Sequence, residues 1–286
     1  VMAKHLVEGN GFVYNIGERV EASTCPLFTL IIAGVYAIFK KYMYLVAMSV
    51  CIFFSALCVW LIIYKICRDR KDLIFFALIF PLLEVRGVFY DCAELFFCAL
   101  LAIFAYKGNW LGLIIFAPIA AYNKESTLFF VLALYPLLSA TLPKKKAALV
   151  TVFAAFLCGC VYLYISAKYA GNLGGAVEYH FWTHVEWSLH LESWIDTRFV
   201  YGVYWFSGFA IFNVLLIALV FKTAWKKLPQ MWQTHIKILL IINVPLYILL
   251  CGEDEIRNFS MLYVGFIAML SIFIKEAIQF EQKKEK

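Results

Sequence analysis

Long apolar runs separated by short charged segments form the dominant pattern of this chain. A helix that crosses a bilayer needs about 20 apolar residues, and several of the runs approach that length. No run alternates apolar and polar residues with the period of two that a half-buried strand shows. The pattern predicts an all-α polytopic transmembrane bundle of about nine spans, at residues 42–64, 73–90, 92–106, 110–122, 126–142, 147–167, 199–221, 236–251 and 259–274.

The beginning of the chain departs from this pattern. A polar stretch rich in Gly and Asn is followed by the apolar residues 26–39, which end at two lysines. An apolar run of 10–14 residues is more often interfacial than spanning. We therefore expect an outer loop and interfacial helix at 1–41, a transmembrane bundle at 42–274 that includes a polar outer loop at 168–198, and a cytoplasmic tail at 275–286.

Composition supports a membrane protein. The chain is 64% hydrophobic and 15% charged, whereas soluble domains have about 45–50% apolar and about 25% charged residues. The net charge of +6 comes from basic residues in short clusters between apolar runs. Such clusters are typical of cytoplasmic loops, so no nucleic-acid partner is expected.

The distribution of basic residues predicts the orientation. Sixteen of the 25 Lys and Arg residues fall on one side of the predicted bundle, together with the C-terminal tail. The positive-inside rule places that side in the cytoplasm and residues 1–41 outside. An outer N-terminus without a signal sequence leads us to expect a first span upstream of Val1.

Ionisable residues concentrate in the predicted outer loops. Charges near the hydrocarbon are expensive unless paired or hydrated, so these residues are functional candidates. Asp91 and Glu94 are three apart and share one face of a helix, although helix capping explains acidic residues at that place equally well. Arg86 can simply pair with Glu84, and Lys124 can belong to a solvated hairpin.

Two further polar segments belong to the same predicted face. Arg257 stands directly before the last apolar run, where it can meet a headgroup or a phosphate. His180 and His184 are spaced i, i+4 and are followed by Glu186, but no metalloprotease HExxH pattern and no evident fourth ligand accompany them. We assign no metal site; substrate-orienting histidines on an interfacial helix, or packing alone, remain the alternatives.

The nine cysteines do not predict a disulfide framework. Most lie in apolar runs, where a thiol behaves as a small hydrophobic group. Cys25, Cys92 and Cys251 fall near the outer ends of predicted spans, so a bridge among these three is left open.

The first polar stretch also carries a resemblance to a known family. The residues that carry it are Glu8-Gly9, Gly11-Phe12, Val13-Tyr14-Asn15, Gly17-Glu18-Arg19-Val20-Glu21, Thr24 and Pro26-Leu27. This stretch resembles the first outer loop of bacterial GT-C-type membrane glycosyltransferases. The family includes protein mannosyltransferases, lipid A aminoarabinose transferases and other enzymes that use polyprenyl-phosphate sugars.

The resemblance extends more weakly downstream. Asp91 and Glu94 match a family position that opens an outer helix. Asn123-Lys124-Glu125 lies where the family commonly has Thr-Arg-Pro-Glu, and Arg257 lies where an Arg opens the final spans. The hallmark acidic residue of the family, a general base, precedes the matched stretch. The resemblance therefore implies that this residue and the first span lie upstream of Val1.

The function implied by the resemblance is transfer of a sugar from a polyprenyl-phosphate donor to an envelope glycan, lipid or protein acceptor. The enzyme would act on the extracytoplasmic face of a bacterial inner membrane, with no cofactor, although a divalent metal is possible. A transporter or flippase of lipid-linked glycan, or an inactive truncated copy, are the alternatives. The expected residues are Asp91, Glu94 and Glu21 for catalysis, Lys124, Arg257 and Arg86 for the donor phosphate, and His184 and His180 for orienting substrate.

Overall fold

The computed structural model describes residues 1–16, 25–39, 42–61, 64, 91–169, 179–200, 203–206, 208–252 and 256–284. Helices dominate, which confirms the predicted helical class. They are α1 Met2–Val7, α2 Pro26–Phe39, α3 Met43–Leu61, α4 Asp91–Tyr106, α5 Trp110–Asn123, α6 Thr127–Ala133, α7 Tyr135–Ser139, α8 Lys144–Tyr169, α9 Phe181–Leu189, α10 Ile211–Ala224, α11 Gln230–Leu250 and α12 Tyr263–Lys284. Short 3-10 segments occur at Leu191–Trp194, Trp225–Lys227 and Ile256–Leu262.

Three helical stretches of the described chain are long and apolar enough to cross a membrane. They are Lys144–Lys168, Gln230–Leu250 and Asn258–Ala277. Shorter apolar stretches of 10–17 residues, among them Leu45–Cys58 within α3, also occur in the described ranges. The protein is thus a helical, membrane-associated protein. The predicted span at 73–90 lies outside the described residues.

A two-stranded hairpin replaces the beginning of one predicted span. Strands β1 Thr197–Val200 and β2 Val203–Phe206 pair antiparallel, with Thr197 opposite Phe206. The span predicted at 199–221 is therefore wrong at its start, and the helix there is α10. Apart from Arg198, the strand residues are aromatic or β-branched, a composition that favours strands.

Small residues let the central helices pack closely. Ala99, Ala102 and Ala105 of α4 are spaced three apart and are completely buried. Ala117 of α5 and Ala154 of α8 are also completely buried and belong to the same apolar core. Small side chains at such interfaces let helix backbones approach, which is how helices associate where both surroundings are apolar.

The turn between α4 and α5 needs its glycine. Gly108 has a φ of +68°, a conformation that L side chains rarely adopt. A Cβ at this position would lie 2.8 Å from Oγ1 of Thr141, which belongs to the turn before α8. The Lys146 ammonium lies 4.8 Å from the centre of the Trp110 ring. These contacts bring the two turns together at one end of the bundle.

The turn between α10 and α11 lies at the same end. The rings of Tyr106, at the end of α4, and Trp232, near the start of α11, are 6.0 Å apart. Nearby, Lys227 Nζ is 2.6 Å from Glu276 Oε2 of α12. We call this end, defined by Lys107, Lys146 and Lys227, the lysine end. Helix α4 has 16 residues and is therefore about 24 Å long, so its first turn lies at the opposite end.

Candidate functional site

The opposite end of the bundle contains a buried carboxylate, that of Glu94 in the first turn of α4. Its side chain is 2% exposed. Glu94 Oε1 accepts hydrogen bonds from Ser126 Oγ at 3.0 Å and from Ser260 Oγ at 2.7 Å. Glu94 Oε2 accepts a short hydrogen bond from the Lys124 ammonium and forms an ion pair with it. We call these four residues the Glu94 cluster.

The chain around Lys124 explains how two donors reach one carboxylate. Lys124 ends α5 in an extended conformation, with φ −152° and ψ 130°, and its N–H donates to Ala120 O. Its own carbonyl accepts from Thr127 N at 3.2 Å, which closes a tight turn into α6. A turn of this kind places Lys124 and Ser126 side by side. The solvated-hairpin alternative is therefore wrong for Lys124, whose side chain is only 19% exposed.

Ser260 reaches the cluster from a distant part of the sequence. It lies in the 3-10 segment Ile256–Leu262, which packs on both α4 and α11. Ser260 is 6% exposed, so its hydroxyl is held in the interior with the carboxylate. The cluster thus joins α4, the α5–α6 turn and the segment before α12.

The Glu94 cluster balances its charges. Both carboxylate oxygens have donors, and hydrogen bonds to an ionised group are stronger than neutral ones. Removing one partner of a buried ion pair leaves an uncompensated charge, which is strongly destabilising. The three donors use three of the about four acceptor positions of a carboxylate, so a hydroxyl that binds Glu94 takes the remaining position on Oε2 or replaces a serine hydroxyl. The geometry is therefore that of a carboxylate on α4 that is fixed in position by two other elements, the α5–α6 turn and the 3-10 segment before α12.

Asn123 supplies a second polar group next to the cluster. It is 1% exposed, and within the described part of the chain neither its amide oxygen nor its amide nitrogen has a hydrogen-bond partner. A buried amide without a partner destabilises a protein by about 1–3 kcal/mol. A polar molecule bound beside Lys124 would supply the missing hydrogen bonds.

A cavity of about 160 Å³ opens at the same end. Leu6 and Phe12 of the first stretch, Tyr122 of α5 and Tyr164 and Lys168 of α8 contribute to its lining. Tyr122 stands two positions before Lys124, so the cavity and the Glu94 cluster share the end of α5. The first stretch therefore packs against the bundle at the end that holds the carboxylate.

The two predicted histidines anchor α9. His184 Nε2 is 3.0 Å from the carbonyl oxygen of Cys251, and its ring lies 4.7 Å from that of Tyr247. The backbone N–H of His180 donates to Leu249 O at 2.9 Å. Both contacts hold α9 against the end of α11. The substrate-orienting role of His180 and His184 stays a prediction.

The remaining predicted site residues have little or no described environment. Asp91 is the first residue of α4, and Arg257 lies in the 3-10 segment Ile256–Leu262, but their side chains are not described. Glu21 and Arg86 lie outside the described residues. In the described ranges, no group of three or more His, Cys, Asp or Glu residues is arranged to hold a metal ion.

Sequence reasoning missed four residues of this end: Asn123, Ser126, Lys168 and Ser260. Ser126 stands two positions after Lys124, and a polar residue so close to a predicted ion was a usable signal. Ser260 stands three positions after the predicted Arg257, within an apolar context. Its place beside Glu94 depends on a tertiary contact that hydropathy does not encode.

Comparisons of the chain with protein-family models, with curated proteins and with solved structures gave no significant match. The resemblance of residues 8–27 to a glycosyltransferase loop therefore stays a prediction. The geometry of the Glu94 end and the chemistry that its residues can perform are the observations that bear on function.

Proposed function

We propose that the protein is an integral-membrane glycosyltransferase of about nine spans in a bacterial inner membrane. It transfers a sugar from a polyprenyl-phosphate donor to an envelope glycan, lipid or protein acceptor on the extracytoplasmic face. The C-terminus is cytoplasmic, and the Glu94 end faces outward. The observation that carries the proposal is the buried Glu94–Lys124 pair at the end of the bundle opposite the lysine end, the end at which a separate cavity also opens.

The chemistry of the proposed reaction needs a cation and a carboxylate close together. The acceptor oxygen attacks the anomeric carbon while the bond from that carbon to the phosphate oxygen breaks. The polyprenyl phosphate leaves with the bonding electrons, and the configuration at the carbon inverts. A carboxylate takes the acceptor proton, and a cation stabilises the charge that develops on the phosphate.

The Glu94 cluster supports a division of these roles. Glu94 positions the acceptor hydroxyl, and Lys124, which has a partly exposed side chain, contacts the donor phosphate. Asp91, one helical turn before Glu94, shares the positioning of the acceptor, and Glu21 supplies a second acidic group in the first loop. Arg257 precedes Ser260 by three positions and is the second candidate phosphate ligand, with Arg86 as a third.

A transporter or flippase of lipid-linked glycan is the second candidate. The observation that favours it is the buried Glu94–Lys124 pair itself, because ionisable residues buried in a membrane bundle are typical of substrate and ion pathways. A flippase would move the lipid-linked sugar between leaflets without breaking the bond between sugar and phosphate.

Transfer from a labelled donor tests the proposal. Membranes containing the protein receive radiolabelled polyprenyl-phosphate hexose or pentose, and label in the acceptor fraction is measured. We expect transfer by the wild-type protein, a loss of at least about tenfold in Lys124→Gln, and partial activity in Lys124→Arg. Lys107→Gln, at the lysine end, is the matched control and should retain activity.

Three outcomes separate the alternatives. Label that changes leaflet while it stays attached to its lipid supports the flippase. Absence of both transfer and leaflet exchange in the wild-type protein supports an inactive copy. Equal activity of Lys124→Gln and wild type, with the variant shown to be folded, overturns the role of Lys124.

A further inference from the structure

Two cysteine side chains from different helices meet in the interior. Cys51 of α3 and Cys92 of α4 have sulfur atoms 2.6 Å apart. Their exposures are 3% and 2%. All cysteines in the described part of the chain are thiols in this structure. From this juxtaposition we propose that Cys51 and Cys92 form a disulfide that joins α3 to α4.

The packing of α3 against α4 brings the two sulfur atoms close together. Further along the pair, the Cys58 thiol donates to Leu95 O at 3.3 Å, and the rings of Phe54 and Phe96 lie 5.3 Å apart. Cys51 contacts the second residue of α4 and Cys58 contacts Leu95 further along it, so α3 and α4 run in the same general direction. A disulfide has a sulfur–sulfur distance of about 2.0 Å. The bond therefore requires the two sulfur atoms to approach by less than an ångström.

Cys25 is the competing partner. It is 2% exposed and packs in a small apolar cluster with Ala93 of α4, next to Cys92. Pairing among Cys25, Cys92 and Cys251 was the alternative that the sequence left open. Cys251 stands instead at the end of α11, where its carbonyl contacts His184. The distance of 2.6 Å between the sulfur atoms of Cys51 and Cys92 is the observation that favours Cys51 as the partner of Cys92.

The bond forms by thiol–disulfide exchange with an oxidising disulfide, supplied by a protein or a small molecule. One thiolate attacks a sulfur of the oxidant and releases the first thiol. The second cysteine then attacks the mixed disulfide and releases the second thiol. The two cysteines lose two protons and two electrons, and the oxidant is reduced to two thiols. Because both sulfurs are buried, a protein oxidant acts before α3 and α4 pack.

The consequence concerns the helix that holds the carboxylate. Cys92 precedes Glu94 by two positions, so the bond fixes the first turn of α4 to α3. The two cysteines are 41 positions apart, and a cross-link that closes a loop of this length stabilises a protein mainly by restricting its unfolded state. Reduction would loosen α4 at the position from which Glu94 reaches Lys124.

Peptide mapping of the full chain tests the proposal. Membranes are dissolved in SDS that contains N-ethylmaleimide, so that buried free thiols are blocked as well, and the protein is purified without reductant and digested with chymotrypsin. Cleavage after Phe53 or Phe54 separates Cys51 from Cys58. Cleavage after Phe96 or Phe97 separates Cys92 from Cys98. We expect a cross-linked pair of peptides containing Cys51 and Cys92 that disappears on reduction.

Variants control the assignment. A Cys58→Ser/Cys98→Ser variant should keep the cross-link, and Cys51→Ser should lose it and leave Cys92 modified by maleimide. A protein that is fully alkylated at Cys51 and Cys92, and that stays so when expressed and purified with oxidised dithiothreitol present, would overturn the proposal. A cross-link that joins Cys25 to Cys92 would also overturn it. Both results come from the wild-type chain, so they do not depend on the folding of a variant.

Discussion

The Glu94–Lys124 pair makes a quantitative prediction about stability. Removing one partner of a buried ion pair destabilises a protein by about 3–5 kcal/mol, because the other charge is left without compensation. The two positions differ in access to water, since the Glu94 side chain is 2% exposed and the Lys124 side chain 19% exposed. Lys124→Met should therefore lie near the upper limit of that range. Glu94→Gln should lie near its lower limit, because the free ammonium can turn toward water.

The double variant gives the sharper test. Glu94→Gln with Lys124→Met removes both charges, and the glutamine can still accept hydrogen bonds from Ser126 and Ser260. We expect the loss in the double variant to be smaller than the sum of the two single losses by about 2–3 kcal/mol, within the range measured for residues in contact.

Unfolding of the detergent-solubilised protein by SDS or heat, followed by tryptophan fluorescence, measures these differences; the chain has 8 tryptophans as probes. The matched control is the pair Lys227–Glu276 at the lysine end, with side chains 47% and 37% exposed. Exposed pairs contribute about 0–1 kcal/mol, so its coupling should be small and sensitive to salt. Strict additivity of the Glu94 and Lys124 losses would refute the reasoning.

Two further predictions concern packing and anchoring. Gly265→Ala should lower the free energy of unfolding by about 1–3 kcal/mol, because the added Cβ would lie 2.6 Å from Cγ1 of Ile236. Gly159→Ala is the control, since no atom lies within 4 Å of its added Cβ. It should leave the unfolding midpoint unchanged or raised. His184→Phe keeps a ring on α9 but loses the hydrogen bond to Cys251 O, so hydrogen exchange of α9 amides should become about fivefold faster, which corresponds to about 1 kcal/mol. Unchanged exchange would show that His184 does not hold α9.

The segments that were predicted well have sharp chemical boundaries. Residues 26–39 become α2 because a proline opens the run and two lysines follow it. The run 147–167 lies within α8, which extends it at both ends. In both cases the change from apolar to charged residues marks a helix end, so hydropathy alone locates it.

The predictions that were wrong or missing concern features that hydropathy does not identify. The sequence of β1 and β2 is rich in aromatic residues and shows no clear period of two, so the pattern alone does not separate these strands from the apolar run that follows. Ser126 and Ser260 are small polar residues without charge, so only the fold reveals that they donate to Glu94. Cys51 was interpreted as an ordinary thiol within a span because its partner comes from another helix.

The large sequence separation between Ser260 and Glu94 has a consequence for the order in which the protein is assembled. Lys124 and Ser126 stand 30 and 32 positions after Glu94, whereas Ser260 stands 166 positions after it. During synthesis the N-terminal part is made first, so Glu94 obtains its ammonium and one hydroxyl early. The last hydroxyl arrives only when the ribosome has passed residue 260. An arrested chain that stops before this point holds a carboxylate with an incomplete set of donors, which distinguishes an unfinished protein from a finished one inside the membrane.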